Sequence, residues 1–140
     1  MKSRSIALAA MLLAAALAIA PRASAQDRSR VRFEAGNDNA AVNGTTTGDE
    51  YVDYLLGASA GQTMSVSLIP GESNGNGTVY FNIMPPGSTG EAIYNGSING
   101  LDATGIKLPS KGDYTIRVYQ MGNDADTDKT TAFMLSVGIR

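Results

Sequence analysis

Beyond the amino-terminal segment, stretches in which apolar side chains return at every second position dominate the chain, and this period restricts the backbone more tightly than any other feature. In "TMSVSL" Met64, Val66 and Leu68 point one way while Thr63, Ser65 and Ser67 point the other, and in "TVYFNIM" Val79, Phe81 and Ile83 repeat the arrangement. "YVDYLL" (Val52, Tyr54, Leu56), "DYTIRVYQ" (Tyr114, Ile116, Val118) and "AFMLSVGI" (Phe133, Leu135, Val137, Ile139) follow it, as does the earlier "SRVRFEA" (Val31, Phe33). Successive side chains of an extended strand face opposite sides, so each stretch predicts a strand with one buried and one wet face. Asn-Gly occurs five times, at Asn43, Asn74, Asn76, Asn95 and Asn99, and accepts the positive φ that tight turns need. Pro85 to Gly87 ends the Phe81 strand, because proline cannot donate to a ladder. The pattern predicts an all-β fold, an antiparallel β-sandwich or small barrel of about eight short strands.

The amino-terminal segment has a different character. Lys2 and Arg4 precede an unbroken apolar run from Ile6 to Ala20, and Ala23, Ser24 and Ala25 offer the small residues that signal peptidase accepts. The run is shorter than the roughly 20 residues that cross a bilayer, so residues 1–25 read as a signal peptide rather than a membrane anchor. The expected product is a periplasmic or secreted single domain, 26–140. With no cysteine in the chain it has neither disulfides nor a lipid-modified amino terminus. Removing Lys2, Arg4 and Arg22 with the signal leaves eight basic and 13 acidic side chains, a net charge of −5. An acidic domain without a basic stripe is a poor partner for nucleic acid or anionic lipid.

Catalytic chemistry has little to work with. Histidine and cysteine are absent, which removes the usual general base and the thiol nucleophile. Asp49, Glu50 and Asp53 are close in sequence, but a glycosidase pair needs a defined separation across a cleft, and the chain reads as non-enzymatic. Asp124, Asp126 and Asp128 in "QMGNDADTDKT" alternate like the first three ligands of an EF-hand loop. Lys129 stands where that loop needs glycine and Leu135 where it needs glutamate, so calcium would require another arrangement, completed by carbonyls or by Asp102 or Asp113. A polar hairpin tip kept soluble by its carboxylates is the preferred reading, and no cofactor is expected. Tyr80 and Tyr119 lie opposite the core residues of their strands, on a sheet face that is either exposed or packed.

The stretch "LPSKGDYTIRVYQMGNDADTDKT", residues 108–130, resembles the periplasmic inhibitors of g-type lysozyme and their envelope-protein relatives. In that family a Leu-Pro-x-Ser-Gly-x-Tyr turn leads into Tyr-x-x-Arg-Val and then Gln-x-Arg-Asn-x-Ala-Arg. Leu108, Pro109, Gly112, Tyr114, Arg117, Val118, Gln120, Asn123 and Ala125 match without a gap, and "DYLLGASAGQTMSVSL" upstream is also similar. The resemblance implies a β-sandwich whose loops enter the lysozyme's substrate cleft, where guanidinium groups pair with catalytic carboxylate. Gly122 and Asp126 replace the family's two tip arginines, and Lys111 replaces the turn serine. Central interface arginines are commonly worth about 2 kcal/mol each, so losing both weakens binding on the order of a thousandfold.

Three functions are compatible with these residues. The favoured one is a lysozyme-binding protein acting by loop insertion through Lys111, Gly112, Tyr114, Arg117 and Asn123. The second is a non-inhibitory envelope module that binds glycan or another envelope protein through Tyr80, Tyr119 and the acidic tip. The third is a calcium-stabilised domain ordered by Asp124, Asp126 and Asp128.

Overall fold

The alternating stretches pair into two sheets. In the computed structural model residues 27–140 are described, and the expected signal peptide lies outside them. In chain order the elements are β1 (Asp27–Arg30), β2 (Asn39–Thr47), β3 (Tyr51–Ala58), β4 (Thr63–Ser73), β5 (Val79–Met84), β6 (Tyr94–Asn95), the helical turn α1 (Gly96–Asn99), β7 (Asp102–Lys107), β8 (Gly112–Gln120), the helical turn α2 (Asn123–Asp126) and β9 (Thr130–Ile139). One sheet has five strands in the order β1-β3-β8-β5-β6, the other four in the order β2-β9-β4-β7. All pairs are antiparallel except β1 with β3. The described fold is therefore a sandwich of nine strands rather than a closed barrel.

Each sheet buries the face that the period assigns to it. Tyr54, Leu56, Phe81, Ile83, Tyr114, Ile116 and Val118 from the five-stranded sheet meet Met64, Val66, Leu68, Phe133, Leu135 and Val137 from the other in one core. Phe133 meets Tyr54 edge-on across the sheets, with ring centroids 6.2 Å apart. Such paired rings add specific geometry to the apolar area they remove from water.

Two expectations fail for identifiable reasons. Asn43-Gly44 is not a turn but the middle of β2, paired with Met134 and Phe133 of β9. A Cβ on Gly44 would lie 2.5 Å from the Tyr54 hydroxyl and 2.7 Å from Phe133 Cζ, so glycine is there to admit the two rings. Val31 and Phe33 fall after β1 rather than within it, although Val31 still donates its N–H to the Leu55 carbonyl and is buried. The strand of Phe81 does end at Met84, just before Pro85.

Candidate functional site

Strand β8 carries most of the residues singled out by sequence, and its length separates them. Nine residues at a rise of about 3.3 Å span roughly 26 Å. Lys111 and Gly112 lie at one end, Arg117 near the middle and Asn123 beyond the other end. The five residues expected to act together do not form one site.

At the Lys111 end the chain makes a braced turn. The Tyr114 hydroxyl donates to the Ser110 carbonyl at 2.6 Å and accepts from the Ser110 N–H at 3.1 Å. Gly112 has φ +146°, and a Cβ there would lie 2.9 Å from Pro86. Lys111 is exposed at the tip, but Tyr114 is wholly buried. Its expected role as a contact residue is corrected: the ring is core and the hydroxyl holds the turn. Asp113, beside this turn, accepts a two-pronged bond from Arg30 at 3.0 and 2.8 Å, which holds its carboxyl below the usual range.

Mid-strand, the outer face of the five-stranded sheet is a linked polar and aromatic patch. Arg117 donates through Nε and Nη2 to Asp53 at 2.9 and 3.0 Å, and its guanidinium lies 3.7 Å from the centre of the Tyr51 ring. Asp53 is fully buried, so the bidentate bond compensates for desolvating its charge and raises the guanidinium pKa further. Arg117 is thus a structural partner of Asp53 rather than a side chain free to enter a cleft. Tyr80 and Tyr119 are half-buried on the same face, with centroids 6.2 Å apart, and the Tyr119 hydroxyl donates to Asn82. Asp49 and Glu50, the other carboxylates weighed for catalysis, lie on the exposed turn after β2, apart from this buried pair.

Beyond Gln120 three connections are tied together. These are the turn between β2 and β3 (residues 48–50), the loop between β4 and β5 (residues 74–78) and the segment from Met121 to Lys129 that contains α2. Gln120 is an inward-facing polar side chain. Its amide nitrogen donates to the Lys129 carbonyl at 2.7 Å and to that of Gly48 at 3.4 Å, and its oxygen accepts from the Thr131 hydroxyl at 2.6 Å. The Gly48 N–H also bonds to the Lys129 carbonyl, and the Asn74 side chain accepts from the Thr130 N–H at 2.8 Å. Asp124 completes the junction. Its carboxylate accepts from the N–H groups of Asn76 and Thr78, both at 2.9 Å, and from the Thr78 hydroxyl. Those donors, the Asn76 N–H first, hold its carboxyl below the usual carboxylate range.

The three aspartates do not form a calcium loop. Asp124 is buried with its oxygens engaged by protein donors, whereas Asp126 and Asp128 are exposed on and just after a helical turn. Asp113 is engaged by Arg30 at the far end of β8, and Asp102, at the start of β7, accepts from Ser67 of β4. Among the described residues no three carboxylates converge as a metal site. The tip is also not a plain hairpin, because the chain turns once through α2, with the Asp126 N–H donating to Gly122 and the Thr127 N–H to Asn123. Its exposed surface combines Met121 and Asn123 with the acidic Asp49, Glu50, Asp126 and Asp128.

Sequence reasoning missed Gln120 and Asp124 as organisers of this end. Gln120 carried a signal, since it occupies the inward phase set by Tyr114, Ile116 and Val118. Asp124 carried none, because its donors come from a loop 46 and 48 residues earlier.

No family model matches the chain. Among curated proteins, the inhibitor of g-type lysozyme from Escherichia coli K12 is 31% identical over 141 residues, covering 100% of both chains. The chain belongs to the g-type lysozyme inhibitor family. Two solved family structures agree. The periplasmic inhibitor of g-type lysozyme from Aeromonas hydrophila is 32% identical with a TM-score of 0.69, over 81% of this chain and 96% of that one. A mutant of the Escherichia coli inhibitor is 28% identical with a TM-score of 0.64, over 83% and 100%. Membership puts the chain among binding proteins rather than enzymes. Gly122 and Asp126 fall at the interlocked end, away from Lys111.

Proposed function

We propose that this chain is a periplasmic protein that binds and inhibits g-type lysozyme, and that it does so through the interlocked end formed by residues 48–50, 74–78 and 121–129. One observation carries the choice of end. Three loops are joined there by Gln120, Asn74 and Asp124, which supports a preformed binding surface at the end to which the sequence resemblance assigns the family's tip arginines.

Contact at this end is made by neutral and apolar groups, above all Met121, Gly122 and Asn123, rather than by guanidinium. Met121 is 46% exposed and offers a flexible apolar side chain to a cleft shaped for sugar. Asp126 faces catalytic carboxylate with like charge and reduces affinity. The expected behaviour is inhibition weaker than that of a relative with both arginines, and least weak at moderate salt, where repulsion is screened. Turbidity decay of a cell-wall suspension by g-type lysozyme, titrated with the protein at two ionic strengths, tests this. Undiminished lysis at high micromolar protein would contradict it.

A further inference from the structure

Asp124 is fully buried although it sits in a four-residue helical turn whose other polar side chains, Asn123 and Asp126, are exposed. A carboxylate removed from water must recover its hydration from fixed donors. Here the donors come from another loop: the Asn76 N–H, the Thr78 N–H and the Thr78 hydroxyl. The approach between the loops is tight. A Cβ on Gly75 would lie 2.3 Å from Asp124 Oδ1 and 2.7 Å from Lys129 Cγ, so only glycine lets residue 75 pass between the carboxylate and the Lys129 stem. An ionised carboxylate only accepts, whereas an amide of the same shape would turn an NH2 group toward these donors.

We propose that Asp124 is a positioning residue for lysozyme binding, clamping the loop of residues 74–78 against α2 so that both present one surface before the partner arrives. The role presupposes that this end engages g-type lysozyme. Loop residues ordered only on contact would subtract their conformational entropy from the binding free energy, and the clamp removes that loss in advance. Asp124 itself, being buried, needs no contact with the partner. Its effect is transmitted through Asn76 and Thr78.

The test uses wild type, Asp124→Asn and Thr78→Val, with two readouts: amide hydrogen exchange at Asn76 and Thr78, and inhibition of g-type lysozyme. In Asp124→Asn, exchange at these two amides should accelerate about tenfold or more while the amides of Val118 and Leu135 stay protected, which separates a local clamp from loss of the fold. The concentration for half-inhibition should rise by about tenfold. Thr78→Val, which removes one donor and keeps the carboxylate, should move both readouts less and in the same direction, and it carries the test alone if Asp124→Asn does not fold. Unchanged exchange at Asn76 and Thr78 overturns the clamp. Accelerated exchange with unchanged inhibition overturns its role in binding. A wild-type protein that inhibits no g-type lysozyme overturns the functional reading instead, and exchange then still decides whether Asp124 holds the loops.

Discussion

Arg117 shows how one residue can match a family motif and still serve the fold. Its guanidinium closes over a carboxylate with no exposure, that of Asp53, and rests on the Tyr51 ring. Removing one partner of such a pair leaves an uncompensated charge and typically costs about 3–5 kcal/mol. Arg117→Leu is therefore expected to lower the unfolding free energy by about 3 kcal/mol in urea melts, without a specific loss of inhibition under conditions where it is folded. A variant of unchanged stability would contradict the buried-pair account. The carboxylates at the two ends of β8 make a related, pH-dependent contribution. Asp124 and Asp113 both have folded pKa values below the ordinary carboxylate value. Their stabilisation is thus complete above the unfolded value of about 3.9 and is lost as pH falls through the lowered folded values. The stability gap between wild type and Asp124→Asn should accordingly be constant from neutral pH down to about pH 5 and shrink progressively below about pH 4. A gap that persists unchanged at pH 2 would remove Asp124 from the acid response.

At the scale of elements, the strands legible in the sequence are those whose inward positions are filled by large apolar residues: β3, β4, β5, β8 and β9 all have the buried phase that alternation predicts. Strand β2 was illegible because its inward row runs through Val42, Gly44 and Thr46, and the glycine that looked like a turn is a vacancy cut for Tyr54 and Phe133. Strand β7, "DATGIK", has one fully buried residue, Ala103, too little for a periodic signal. Gly44→Val should force those rings apart and destabilise by about 1–3 kcal/mol, measured by thermal or urea unfolding. A neutral effect would mean that β2 can shift its register against β9. Of the candidate site, the family motif marked the stretch from Lys111 to Asn123, but how its far end is tied to the loops of residues 48–50 and 74–78 was not legible. Alternating aspartates suggested a metal loop, whereas one is buried against N–H groups and the others are solvated. Nothing in local spacing distinguishes those environments, because the difference is made by a loop distant in sequence.

At the scale of the molecule, the described residues form a sandwich with opposite ends of different character. At one end Lys111 rises from a turn braced by Tyr114, and at the other the three joined loops present an acidic rim around Met121 and Asn123. Net charge of −5 for residues 26–140 gives no general attraction to a cleft lined by carboxylate, so the proposed binding mode rests on shape and preorganisation at the loop end. The most direct measurement of that claim is inhibition of g-type lysozyme by wild type, Asp126→Arg and Lys111→Glu side by side. Asp126→Arg replaces a repelling carboxylate with a central guanidinium worth about 2 kcal/mol, and inhibition is expected to tighten roughly thirtyfold, while Lys111→Glu, at the far end of β8, is expected to match wild type. Inhibition that is abolished by Lys111→Glu and indifferent to Asp126→Arg would put the binding surface at the other end of the sandwich and contradict the account.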